Sequence, residues 1–241
     1  VGAHALLALA ALAVAEALAA DEVLAPDAAA SMRTLARQLG TVLRAAEAQA
    51  PRPGNFVHAW HRVDGRWRPL RRQQLYADGQ TALALWRLRH LEAWAGSAAR
   101  TFLERRAQRL ADTPRVLRRF AEVHWLVIAI AEAWLELSPR PRRVALQWMH
   151  DQLAFQYATD PLGYGREGLL GYGPWAPPIV AFAATRGEAL TALLRHAQMS
   201  PARRQHFRLA AGALAAGLRR AQLGLGNPWG RHFLAAYPLL R

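Results

Sequence analysis

Five side chains in this sequence could carry acid–base chemistry, and most stand at the beginning of an apolar segment. They are Asp78, Glu122, His124, Glu167 and Glu188. Two carboxyl groups can divide the roles of proton donor and base, and a histidine can remove a proton beside a group that stabilises the resulting carbanion. We therefore predict catalytic roles for His124, Glu122, Asp78 and Glu188.

Each of these side chains also has a structural explanation that the sequence leaves open. Asp78 stands where a helix N-cap is expected, Glu122 can interact with a helix dipole, and Glu188 can pair with Arg186. His124 can cap its helix or hydrogen-bond to a neighbour. The distances between the carboxyl groups depend on how the helices pack, so spacing along the chain does not decide between chemistry and structure.

The helices that must position these residues alternate between two kinds. Apolar helices rich in Ala and Leu are each followed, after a short break, by an amphipathic helix. The apolar helices begin near His4, Gln80, His124 and Arg186, and their partners span residues 27–49, 98–111, 142–156 and 201–223. This alternation is typical of a ring or arc of αα-hairpins, in which inner helices pack on two sides and outer helices face solvent.

All four apolar helices have predicted bounds, and the last of them spans residues 179–198. The first spans residues 3–20, and we interpret it as a buried helix of a chain that starts within a protein or after processing. It shows no clear signal peptide and is too short and Ala-rich for a membrane span, which favours a cytoplasmic location. The next, over 78–94, begins with Asp78 as its cap. The helix over 115–137 is apolar on all sides at its centre, so it must be buried.

Three segments depart from the helical pattern. Val63-Asp64-Gly65 predicts the turn of a small β-hairpin flap within residues 55–70. Residues 157–178 form a long irregular segment rich in Gly, Pro and aromatic residues, which is typical of a functional loop. Residues 224–241 predict a turn and a short final helix.

Composition supports an all-α protein with one domain over residues 1–241. The 241 residues are 53% hydrophobic, and β-branched residues are sparse. The formal net charge of +14 comes from 31 basic and 17 acidic residues, and every basic residue is arginine. Because twelve of the arginines stand in adjacent pairs on predicted outer faces and no nucleic-acid motif accompanies them, we expect no nucleic-acid partner. The histidines lack metal-ligand spacing and no phosphate-binding loop is present, so we expect neither a metal nor a cofactor.

Three segments resemble the six-hairpin (α/α)-toroid superfamily. They are Tyr76-Ala77-Asp78-Gly79-Gln80-Thr81-Ala82-Leu83, Glu122-Val123-His124-Trp125-Leu126-Val127-Ile128-Ala129 and Ala184-Thr185-Arg186-Gly187-Glu188-Ala189-Leu190. That superfamily contains glycoside hydrolases, polysaccharide lyases and N-acylglucosamine 2-epimerase-like proteins, whose inner-helix N-terminal ends line a sugar-binding funnel. A complete ring needs about two more hairpins than this sequence shows. The resemblance therefore implies a toroid, or an incomplete toroid truncated at one or both ends.

The resemblance also implies a carbohydrate-active protein that binds a saccharide at this rim and hydrolyses or epimerises it. Hydrolysis would require two carboxyl groups, one of them protonated. The expected substrate-binding residues are Tyr76, Gln80, Trp125, Arg166, Glu167, Trp175 and Arg186. The main alternative is a non-catalytic helical scaffold that binds a protein or an anionic polymer through its arginine-rich faces. A third possibility is a membrane-associated helical protein, which predicts that the helix over residues 3–20 is exposed rather than packed. An enzyme should gather at least two of the five acid–base residues around one concave pocket, whereas a scaffold should scatter them.

Overall fold

The structure is a computed structural model that describes residues 2–20, 26–49, 60–69, 75–118, 121–158, 167–171 and 180–223. Within these ranges nearly all regular structure is helical, as the composition predicts. The helices are α1 (Gly2–Ala20), α2 (Pro26–Ala48), α3 (Leu75–Leu88), α4 (Ala93–Asp112), α5 (Arg115–Arg118), α6 (His124–Glu132), α7 (Pro139–Leu153), α8 (Val180–His196) and α9 (Pro201–Leu223). A 3₁₀ turn, Trp134–Glu136, separates α6 from α7.

The apolar helices form a row, and each packs against an amphipathic partner. Helix α1 packs on α3, α3 on α6, and α6 on α8. The partners of these four inner helices are, in chain order, α2, α4, α7 and α9. The pairing of apolar and amphipathic helices predicted from the sequence is therefore present. Each apolar helix also contacts at least one other apolar helix, which buries a second side.

Helices α3 and α6 run in the same direction. Near their N-terminal ends they approach closely at Gly79, where a methyl group added to the glycine would lie 2.6 Å from the backbone nitrogen of Leu126. Near their C-terminal ends Arg87 and Glu132 are joined by hydrogen bonds. Because α3 and α6 are parallel, the chain between them must return to the starting end, and the amphipathic helix α4 lies in that connection.

Helix α1 buries its alanine-rich side and exposes part of its leucine-rich side. Ala5, Ala8 and Leu12 are buried, whereas Leu7 and Val14 are exposed. Residues 2–19 have a mean hydropathy of 1.8, and 33% of this window is buried, so α1 is long and apolar enough to cross a membrane by length and composition. Core helices of soluble proteins, which are mostly buried, and signal sequences near an N-terminus have the same length and composition.

The prediction of one helix over residues 115–137 is wrong. The chain forms the short helix α5, breaks before His124, and leaves α6 at Glu132. The indole N–H of Trp148 donates to the carbonyl oxygen of Ala121 at the first break. At the second, the guanidinium of Arg142 donates to the carbonyl oxygen of Leu137. These hydrogen bonds from side chains give partners to carbonyl groups at the two places where the helical backbone is interrupted.

The predicted start and end of the third helix also differ from the structure. Helix α3 begins at Leu75, so Asp78 lies inside its first turn and is not an N-cap. The helix ends at Leu88, before the predicted end at residue 94, and Trp94 lies inside α4. The predicted β-hairpin is present as strands β1 (Trp60–Val63) and β2 (Arg66–Pro69). Asp64 and Gly65 adopt φ values of 49° and 75°, as a two-residue hairpin turn requires.

Part of the predicted irregular segment is anchored to α9. The side-chain amide of Gln156 donates to the carbonyl oxygens of Gly168 and Ala210. Gly168 has a φ of 81° and lies against the backbone of Ala213, so a side chain at this position would collide with α9. The final helix predicted within 224–241 lies outside the described residues.

Candidate functional site

His124 occupies the beginning of α6 and is buried, with 4% of its surface exposed. Arg186, from α8, is also buried and donates from Nε to Oε1 of Gln152 at 2.6 Å. Burial, and secondarily the positive charge of Arg186, lowers the pKa of His124 to about 4. The imidazole is therefore neutral at neutral pH and is enclosed by protein. Both residues belong to the interior and do not line the groove described below.

Asp78 is held by a buried arginine that the sequence pattern placed on an outer face. The guanidinium of Arg106, from α4, forms an ion pair with the Asp78 carboxylate, and both side chains are almost fully buried. Burial lowers the pKa of Arg106, while the Asp78 charge opposes that change. Arg106 shares one helical face with Phe102 and Leu110, and this spacing was the available sign that it points inward.

Gln80 and Trp125 lie near the same contact between the N-terminal ends of α3 and α6. Gln80 is buried, and its Oε1 atom lies close to Gly2. Trp125 is half-buried, and its ring centroid is 5.5 Å from that of His124. Of these two predicted binding residues, only Trp125 reaches the groove between the inner helices.

A groove of about 540 Å³ runs along all four inner helices. Its volume is within the roughly 300–1,000 Å³ of small-molecule sites. Its apolar floor and sides come from α1, α3, α6 and α8, and its polar residues stand mostly along α8. The lining residues are Leu6, Leu9, Ala10, Leu83, Arg87, Trp125, Ile128, Glu132, Glu188, Thr191, Ala192, Arg195 and His196.

Glu188 lies in this groove without a partner among the described residues. The pairing with Arg186 that the sequence allowed is not formed, because Arg186 is engaged with Gln152 and with the carbonyl oxygen of Phe182. Partial burial raises the pKa of the Glu188 carboxyl group. A carboxyl group in these surroundings keeps its proton to a higher pH than an ordinary glutamate.

Glu132 is a second carboxylate of the groove, and it was not among the residues predicted from the sequence. Arg87 donates to it twice, from Nε to Oε2 at 3.0 Å and from Nη2 to Oε1 at 2.5 Å. This two-point contact raises the pKa of Arg87. Glu132 follows His124 by eight residues, so it lies two turns further along α6, and the pattern of α6 alone did not show which groove it faces.

The remaining predicted site residues do not join the groove. Glu122 is exposed ahead of α6, and Glu167 is exposed beside α9, where Arg220 donates to its carbonyl oxygen at 2.6 Å. Arg166, Trp175 and the side chain of Tyr76 lie outside the described residues. Of the five acid–base residues selected from the sequence, the groove thus contains Glu188 alone, so these five residues do not gather as expected of an enzyme. Most charged residues of the groove stand toward the C-terminal ends of α3, α6 and α8, and not at the N-terminal rim expected from the sequence.

The described part of the chain contains no group of three or more His, Asp or Glu side chains that could hold a metal ion. Comparison with family models, with curated proteins and with solved structures gives no match. The groove must therefore be interpreted from its own geometry.

Proposed function

We propose that the groove binds a saccharide and that Glu188 is the proton donor of an acid–base reaction on it. The observation that carries this proposal is the meeting of Glu188, from α8, and Trp125, from α6, in one groove of ligand size. A carboxyl group with a raised pKa suits a general acid, since it keeps the proton that a leaving group must receive.

Trp125 supplies the flat apolar surface that the proposal needs. Its ring is half-buried and lines the groove together with Leu83 and Ile128. The apolar faces of sugar rings can stack on such a surface, while the charged groups of the groove bind the hydroxyl groups. The same half-burial holds the indole in place before a ligand arrives, which reduces the entropy lost on binding.

Glu132 fits the second carboxyl role in a glycoside hydrolysis. Its two carboxylate oxygens accept hydrogen bonds from Arg87, whereas Glu188 has no such partner among the described residues and has a raised pKa. Two carboxyl groups whose surroundings differ in this way can act as base or nucleophile and as acid. We therefore assign Glu188 as the acid and Glu132 as the base or nucleophile of the proposed reaction.

The parallel row of inner helices supports an incomplete (α/α)-toroid as the architecture behind this site. Residues of α1, α3, α6 and α8 line one groove, although α1 and α8 stand at opposite ends of the row. A flat row could not bring its end helices to a common groove, so the arrangement favours an arc with the groove on its concave side. This placement corresponds to the inside of a ring.

The test is binding and turnover with neutral and acidic oligosaccharides. Ligand binding to the native state raises the melting temperature. We expect a shift with at least one sugar class that persists at high salt. Glu188→Gln should keep that shift and lose release of reducing ends, because the amide has nearly the shape of the acid but no proton to give.

Glu122→Gln is the matched control, since Glu122 is exposed and outside the groove. It should leave both binding and turnover unchanged. Turnover that survives Glu188→Gln would remove the catalytic assignment, and the absence of any salt-resistant shift would remove the saccharide site. Shifts caused only by polyanions and lost at high salt would support the alternative, a scaffold that binds through its arginines.

A further inference from the structure

We infer that the groove is built for an acidic saccharide and that Arg195 binds the carboxylate of its sugar unit. This inference rests on the proposed function and adds the substrate class. It starts from the charges of the groove, which comprise two arginines, two glutamates and His196. Some of these charges already form ion pairs within the protein, and the others are available to a ligand.

Arg87 and Glu132 satisfy one another. Their two hydrogen bonds of 3.0 and 2.5 Å occupy both carboxylate oxygens and the matching side of the guanidinium. The pair contributes no net charge, and binding a ligand ion there would first require breaking it. An incoming charged group is therefore directed to the other charges of the groove.

Arg195 is the second arginine, and its guanidinium has no ion-pair or hydrogen-bond partner among the described residues. It is exposed at the groove in the last turn of α8. Other arginines of the chain that border the core are engaged with carbonyl oxygens or carboxylates, as Arg204 is with Leu194 and Ala197. An unengaged guanidinium beside a groove provides a two-point donor for a planar carboxylate.

Glu188, Thr191 and Arg195 stand on one face of α8, because they follow the spacing i, i+3 and i+7. The rise of the helix separates the first from the last by about 10 Å. Glu188 and Arg195 are also opposite in role, one a proton donor and the other an anion binder. A single sugar ring next to Glu188 would not span this distance, so the carboxylate at Arg195 belongs to a neighbouring unit of the ligand.

The arrangement thus indicates both the class of substrate and its orientation along α8. The ligand is a uronic-acid oligosaccharide, oriented with an acidic unit toward the C-terminal end of α8 and the reacting unit toward Glu188. The net charge of +14 attracts such a ligand at long range, and Arg195 selects it at contact.

The experiment compares trigalacturonate with its fully methyl-esterified form, which has the same sugar units without the charge. Binding is measured by calorimetry at high salt, where non-specific attraction is screened. We expect the acid to bind the wild type more tightly than the ester. Arg195→Gln should weaken binding of the acid roughly tenfold to a hundredfold, the range for a lost charge-assisted hydrogen bond, and leave the ester unchanged.

Arg219→Gln is the control, because Arg219 is an exposed arginine near the C-terminal end of α9 and away from the groove. It should retain the preference for the acid. Equal binding of acid and ester to the wild type, or a preference that survives Arg195→Gln, overturns the inference while the saccharide site stands. If neither trigalacturonate, its ester, maltotriose nor cellotriose binds, the proposed function fails and this inference fails with it.

Discussion

At the scale of single residues, some of the candidate polar side chains are buried in the protein and others are accessible at the groove. Asp78 and His124 look reactive in the sequence, but in the structure one is paired with Arg106 and the other is enclosed near Arg186. Glu188 retains an available carboxyl group at the groove. Burial keeps the His124 imidazole neutral in the native state. At acidic pH this lowers the free energy of unfolding, because the unfolded chain binds a proton that the native state does not bind.

We predict that His124 makes the protein less stable in mild acid. Its pKa is about 4 in the native state and about 6.5 when unfolded. Between these values the unfolded state binds more protons, so stability falls as the pH drops below 6.5. The expected loss is about 2 kcal/mol of unfolding free energy between pH 7 and pH 5. Urea unfolding followed by tryptophan fluorescence at both pH values measures it.

His124→Gln should reduce this pH dependence, whatever its effect on stability at pH 7. His90→Gln is the control, since His90 is exposed, and it should keep the wild-type dependence. An unchanged slope in His124→Gln would show that the imidazole takes up its proton as readily in the native state as in the unfolded chain.

At the scale of helices, the contact between α3 and α6 depends on a glycine. A methyl group at Gly79 would lie 2.6 Å from the Leu126 nitrogen and 2.7 Å from Trp125 Cβ, and the first of these atoms belongs to a backbone that cannot rotate away. We predict that Gly79→Ala lowers the unfolding free energy by about 1–3 kcal/mol, as overpacking of a core typically does. Thermal or urea unfolding provides the measurement.

Gly212→Ala should have the opposite effect on the free energy of unfolding. Gly212 lies in the interior of α9 with no heavy atom within 4 Å of the added carbon. The alanine should therefore raise stability by about 0.4–1 kcal/mol, because it restricts the unfolded chain. If both variants respond alike, the close approach of α3 to α6 is not what limits position 79.

The sequence predicted those elements whose signals are local. The alternation of apolar and amphipathic helices and the Asp64-Gly65 turn depend on neighbouring residues, and the structure has them. The break before His124 depends on Trp148, which lies 27 residues away from Ala121 along the chain. Of the residues that line the groove, Glu188 and Trp125 were among those selected from the sequence, but Glu132 and Arg195 were not, since only packing decides which helical face meets a groove.

At the scale of the whole molecule, charge and groove are separate features. Exposed arginines stand on the outer helices, such as Arg100, Arg105 and Arg109 on α4 and Arg203 and Arg208 on α9. The groove lies among the inner helices. A large positive charge attracts polyanions without recognising them, because the attraction depends on released counterions.

We predict that labelled duplex DNA binds weakly at low salt and dissociates as salt is raised to about 0.3 M, where the Debye length falls to roughly 6 Å. Fluorescence anisotropy gives the salt dependence. Arg195→Gln and Glu188→Gln should not alter it appreciably, since one charge among many is changed. Binding that resists salt would instead point to a dedicated nucleic-acid surface.

The pairing of each inner helix with the outer helix that follows it has a kinetic consequence. Contacts such as α1 with α2, α3 with α4, and α8 with α9 close short stretches of chain. Proteins dominated by such local contacts fold quickly, and each hairpin can start the process without waiting for distant segments. Where the chain closes longer loops, as between α4 and α7, assembly follows hairpin formation. We therefore predict that the groove, which needs all four inner helices, is completed after the hairpins have formed.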